Sequence, residues 1–148
     1  MNAVTSTFRQ LHINTAAGIC LHDITPFIRE EVQASGVSDG IVVISSHHTT
    51  TAVTINENEP RLVEDVRVFL ERLVPRQDKY FHNDIHLRDC PPDEPENAHS
   101  HIAAMLLGSS ETVPISAGEP ALGTWQSVML VELDGPRERA VNLHILGV

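Results

Sequence analysis

The run Ile41-Val42-Val43-Ile44 constrains the fold more than any other segment. Successive β-branched residues favour strand over helix, and an unbroken apolar run points to a strand covered on both faces. Other strands are expected around it. Val4–Ile13 and Ile19–Ile24 flank an Asn14–Gly18 turn, and Val113–Ser116, Leu122–Leu133 and Arg139–Leu146 fill the C-terminal third. Turns at Ala117–Pro120 and Asp134-Gly135-Pro136 separate those last three.

Helices are expected between the strands. Thr25-Pro26 reads as an N-cap followed by proline in the first turn, Phe27, Ile28 and Val32 face the core, and Gly36 ends the helix. Asn58 is expected to cap a second helix, with Pro60 in its first turn. Leu62, Val66, Phe69, Leu70 and Leu73 then recur at helical spacing before Pro75. A long polar connection spans 76–96, and Asn97 caps a short helix through Leu107, stopped by Gly108. The expected class is α+β, with mainly antiparallel or mixed packed β-sheets and about three helices in the rough order ββαββαβββ. At 148 residues, 1–148 is read as a single domain. Neither GxGxxG nor a P-loop is present.

Charge narrows the partners. Twenty acids against ten Lys and Arg give a net charge of -10. A field of that sign repels nucleic-acid backbones and anionic membranes, so neither is an expected partner. Aromatics make up only 4%, which leaves few platforms for stacking bases. Cys20 and Cys90 form no framework, and no apolar stretch is long enough for a membrane helix. The expectation is therefore a cytoplasmic protein with reduced cysteines.

Nine histidines suggest small-molecule or metal chemistry. His48 follows the apolar strand, His82 lies in the long connection, and His101 lies early in the third helix. His99 and His101 stand about 200° apart on a helix and cannot share one face. The segment from His48 to Asn58 reads as a strand extension, on which His48 and Asn56 would stand about 26 Å apart. Either it bends or bulges, or a neighbouring subunit brings its two ends together. Glu57 and Asp65 are candidates for a base or a metal ligand, with helix capping as the other reading of Glu57 and a solvated helix face as that of Asp65. Trp125, beside Gly123 and Gln126, reads first as a core residue on a strand. Arg137, followed by Arg139, is the candidate cationic clamp for phosphate or carboxylate. Ser109 and Ser110 read as turn residues, and no Ser–His–Asp or Cys–His arrangement is evident.

Five segments in order, His48-Thr49-Thr50, Thr54-Ile55-Asn56-Glu57-Asn58, Tyr80-Phe81-His82, His101 through Ser110, and Gly123-Thr124-Trp125-Gln126, resemble the YjbQ-like family. Its members are often named secondary thiamine-phosphate synthase. The resemblance implies a homotrimer with a site near the subunit boundary. It also implies that His48, His82 and His101 converge on a divalent metal, zinc or magnesium. Asn56, Trp125, Gln126 and Arg137 would bind substrate, and Glu57, Asp65 and Arg137 would serve catalysis. The implied reaction joins an aminopyrimidine diphosphate to a thiazole phosphate and releases pyrophosphate, with "secondary" allowing a different main activity. A metal-dependent hydrolase of a small molecule and a non-catalytic trimeric metabolite- or metal-binding protein are the alternatives. The proline-rich His86–Asn97 stretch departs from the family pattern, just where a lid would lie.

Overall fold

A computed structural model describes residues 3–148. Its strands form two antiparallel sheets. Five strands, β1 (Thr5–Asn14), β3 (Gly40–Ser46), β5 (Ser110–Ser116), β6 (Glu119–Pro120) and β8 (Glu138–Gly147), form one sheet in the order β1-β8-β3-β5-β6. The other sheet holds β2 (Gly18–Asp23), β4 (Thr51–Asn56) and β7 (Ser127–Gly135) in the order β2-β7-β4. Three helices complete the α+β fold: α1 (Thr25–Ser35), α2 (Pro60–Leu73) and α3 (Ala98–Leu107). Among the described residues no helix is long and apolar enough to cross a membrane.

Strand alternation distributes the core. Val42 and Ile44 of β3, Val141, Leu143 and Ile145 of β8, and Val53, Val128 and Leu130 of the smaller sheet share one cluster with Ile28 and Val32 of α1. The opposite faces of β4 and β7, through Ala52, Val131 and Leu133, pack with Leu70 of α2 and Ala103 and Ala104 of α3. The two-sided burial expected of Ile41–Ile44 therefore belongs to β7, whose residues Val128 to Leu133 are all at most 3% exposed. In β3 only Val42 and Ile44 are buried, because the outer face of the larger sheet carries no helix and Ile41 is 39% exposed.

Several local expectations change for identifiable reasons. Thr25 begins α1 but does not cap it, since its hydroxyl accepts from Val128 N at 2.8 Å. Glu59, not Asn58, caps α2 by accepting from the Arg61 and Leu62 amides at 3.0 and 2.7 Å. On α2 itself Leu70 is buried, whereas Phe69 and Leu73 remain more than half exposed. Asn97 precedes α3, but its side chain donates to Asp134 Oδ2 at 2.8 Å, and Asn83 Oδ1 accepts from Ala98 N instead. The strand expected from Leu122 starts only at Ser127, because Gly123–Gln126 folds as a turn closed by Gln126 N–H donating to the Gly123 carbonyl at 3.0 Å. Trp125 is consequently 73% exposed rather than part of the core.

Candidate functional site

The chain passes between the two sheets at three neighbouring connections, β1 to β2, β3 to β4, and β7 to β8, and one buried cluster joins them. Glu132 continues the inward row of Val128 and Leu130, and Arg139 begins the inward row of Val141, Leu143 and Ile145. They meet as a two-pronged ion pair, with Arg139 Nε to Glu132 Oε2 at 2.7 Å and Nη2 to Oε1 at 2.6 Å. Thr15, between β1 and β2, donates its hydroxyl to Glu132 Oε2 at 2.6 Å. Thr50, between β3 and β4, accepts from Arg139 Nη2 at 2.8 Å. Glu132 is fully buried and Arg139 is 4% exposed. Burial pushes the Glu132 carboxyl up, but hydrogen bonds from Arg139, Thr15 and the Asp134 amide hold it below its usual range. Gly135 lets the connections approach, since a Cβ there would collide with the Ala16 carbonyl and the Glu132 side chain.

His48 lies in the β3–β4 connection. Residues 47–50 turn from one sheet to the other, so the continuous strand expected from His48 to Asn58 does not form. Ser46 Oγ accepts from His48 N at 3.2 Å and is hydrogen-bonded to Thr51 Oγ1, which closes the turn. Ala140 N–H, next to Arg139, donates to His48 Nε2 at 2.8 Å. An imidazole nitrogen accepts a hydrogen bond only through its lone pair, so Nε2 carries no proton. Burial lowers the His48 pKa, helped by the charges of Arg139 and His47 and opposed by Glu132. The ring is therefore neutral near pH 7, and its one N–H is on Nδ1. No partner for Nδ1 exists among the described residues.

His48 lines a cavity of about 630 Å³ together with Ser46, Thr51, Ser109, His101 and Met105. Ser109, read from sequence as a turn residue, is thus part of its wall. Helix α3 is held against β7 by Ser100 Oγ donating to the Leu133 carbonyl, which turns His101 toward this space. The His82 ring meets His101 edge-on with centroids 4.8 Å apart, and Arg88 steadies its backbone by donating to the His82 carbonyl at 2.9 Å. Burial lowers the His101 pKa, with His82 adding to the effect. His99, on another side of α3, does not line the cavity, in keeping with the helical spacing.

The three histidines thus share a neighbourhood without forming a three-imidazole ligand set. The Nε2 lone pair of His48 is already engaged, and among the described residues no group of three or more His, Cys, Asp or Glu could hold a metal ion. The remaining candidates lie elsewhere in the chain. Asn56 pairs with Ser127, so Asn56, Glu57, Trp125 and Gln126 gather at the far end of the smaller sheet. The length of β4 separates them from His48, about 17 Å. Asp65 is exposed on α2. Arg137 is engaged within its own turn, where Nη2 meets Asp134 Oδ2 at 2.8 Å and Nε donates to the Asp134 carbonyl at 2.9 Å. Sequence reading passed over Glu132 and Thr15 and gave Thr50 no role beyond its place in the His48-Thr49-Thr50 segment. The available signal was parity, since a charge of each sign occupies an inward position at the end of an apolar row.

Comparison with known proteins agrees with this architecture. The family model described as UPF0047 protein YjbQ-like matches residues 9–148. A UPF0047 protein of Methanothermobacter thermautotrophicus is 41% identical over 94% of this chain and 91% of its own length. Another from Archaeoglobus fulgidus is 40% identical over 93% and 99%. Among solved structures, a YbjQ-like protein of unknown function from Sulfolobus solfataricus P2 superposes with a TM-score of 0.89 at 35% identity, covering 99% of this chain and 100% of that one. A hypothetical protein from Aeropyrum pernix K1 gives 0.87 at 35% identity, covering 96% and 99%. By sequence and by fold, the chain belongs to the YjbQ-like UPF0047 family.

Proposed function

We propose that the His48 cavity binds the oxyanion head of a small molecule, a phosphate group above all, and stabilises negative charge on it during transfer. The observation that carries this reading is the Ala140 N–H to His48 Nε2 bond, which leaves Nδ1–H as a donor without an internal partner. A neutral donor set built from Nδ1–H and the Ser109 hydroxyl, joined by the Thr51 hydroxyl when Ser46 is the donor of the Ser46–Thr51 bond, suits phosphate oxygens in a chain whose overall charge is negative. Displacement of pyrophosphate from an aminopyrimidine diphosphate by a thiazole phosphate is a reaction of this class. It is the transfer that the family resemblance suggests.

In this reading the working unit is a homotrimer. Asn56, Glu57 and Gln126 lie too far from His48 in one chain, while Phe81, Met105, Phe69 and Leu73 are each more than half exposed. A second copy seated on those apolar side chains would bring its own Asn56 end toward the cavity. A zinc or magnesium ion is a second reading, favoured by the edge-on His82–His101 pair, which could supply two imidazoles to a cation arriving with the substrate phosphate. Elemental analysis after incubation with pyrophosphate and zinc or magnesium, followed by removal of unbound ions, comparing wild type with His82→Ala/His101→Ala, tests it. About one equivalent in wild type alone supports a metal site, and equal content in both rejects it.

The principal test is a calorimetric titration of inorganic phosphate and pyrophosphate. His48→Gln places an acceptor near Nε2 but removes the Nδ1 donor. It should keep its fold and bind phosphate about tenfold more weakly. Unchanged affinity would reject the reading. With a diphosphate substrate, pyrophosphate release that depends on an acceptor indicates a transferase. Release without one indicates a hydrolase, and tight binding without turnover indicates a binding protein.

A further inference from the structure

We infer that the buried Glu132–Arg139 pair is the positioning element of the His48 site: it binds the three sheet-to-sheet connections together and thereby sets which imidazole nitrogen carries the proton. This rests on the reading of His48 as the anion donor. A buried ion pair is seldom better for stability than well-packed apolar side chains, because desolvation offsets the Coulomb attraction. What this pair adds is geometry. Arg139 holds the β3–β4 connection through Thr50, two residues from His48. The next residue along β8, Ala140, holds the imidazole itself. Glu132 is braced in turn by the Thr15 hydroxyl and by the Asp134 amide at 2.9 Å. The guanidinium fork is therefore fixed from both sides, and with it the distance between the first residues of β8 and the His47–Thr50 turn. If that distance relaxed, Ala140 N–H would lose Nε2, and the proton would be free to move to either ring nitrogen.

The test uses the full-length protein and reads the His48 tautomer by long-range 1H–15N NMR, alongside phosphate affinity and melting temperature. In Glu132→Gln/Arg139→Met, both charges are removed and the volume is roughly kept. The expected result is a folded protein whose His48 signal reports a mixture of tautomers and whose phosphate affinity is about tenfold weaker. Thr50→Val removes only the bond to Arg139 and should move the tautomer in the same direction, so the inference stays testable if the double variant does not fold. A wild-type tautomer and wild-type affinity in both variants, whatever their melting temperatures, would overturn it and leave the pair a merely structural feature. If the tautomer shifts as expected while even wild type fails to bind phosphate, the positioning role stands and the anion-binding reading fails.

Discussion

The two ends of strand β4 carry most of the polar candidates, and the chain treats them differently. At the Thr51 end, His48 is held by Ala140, Ser46 closes the turn, and the Glu132–Arg139 pair lies beneath it with neighbouring connections bonded to both partners. At the Asn56 end, the Asn56 and Gln126 side chains bond only to backbone amides close by in the chain, those of Glu57 and Gly123, and Trp125 is exposed. The first end has its geometry fixed by the chain that bears it, so its chemistry can be argued from one subunit. The second has side chains suited to recognition, but the neighbours of Asn56 and Glu57 in their own chain, Leu21, Leu62, Val63 and Val66 among them, are mainly apolar. That difference is why a second copy enters the proposed function.

The largest expected effect comes from breaking the buried pair on one side. Arg139→Ala leaves the Glu132 carboxylate buried without its cation and should cost about 3–5 kcal/mol in urea denaturation, whereas the neutral double replacement should cost much less. Equal losses in both would show that the charges matter less than the shape.

Acid sharpens the same contrast. The folded Glu132 pKa lies below its ordinary value of 4.5, so the stability it contributes is present above that value. That contribution is lost as pH falls through the lower folded value. Denaturation midpoints measured between pH 6 and 3 should therefore fall more steeply for wild type than for Glu132→Gln/Arg139→Met. Parallel curves would contradict the assignment.

At the open end the expected change is in assembly, not in the fold. Phe69→Ser/Leu73→Ser should yield a smaller species by sedimentation while keeping the wild-type circular dichroism, because both side chains are mostly exposed in the single chain. An unchanged sedimentation coefficient would remove the apolar face of α2 from the interface. The smallest effect is expected at Arg137. Its guanidinium is 41% exposed and bonded within its own turn, so Arg137→Ala should change stability by no more than about 0.5 kcal/mol and leave phosphate affinity unaltered. A clear loss of affinity would restore it as the cationic clamp.

Much of the fold was legible in the sequence because period and punctuation carried it. Gly36 and Gly108 end helices where expected, and Pro60 opens one. The misreadings share a cause, which is that tertiary partners reassign local signals. Thr25 and Asn97 look like caps, but their side chains are taken by β7 and by Asp134. Gly123 and Trp125 lie in a turn closed by both the backbone and the side chain of Gln126. At the site, His48, His82 and His101 were recognisable by residue type and resemblance, and they do gather in one region. What sequence could not supply was the state of each nitrogen, since that depends on an amide 92 residues away. Nor does charge content show that Arg139, rather than Arg137, lies inside the molecule. Only the strand parity running from Val128 to Glu132 and from Arg139 to Val141 carried that information.

The most direct test is a long-range 1H–15N spectrum of the wild-type imidazoles recorded near pH 7 during a titration with inorganic phosphate. The account predicts that His48 has an unprotonated Nε2 and a protonated Nδ1 from the start, and that phosphate shifts the Nδ1 resonance while Nε2 stays with Ala140. A proton on Nε2, or a His48 ring that phosphate leaves unmoved up to saturation, would contradict it.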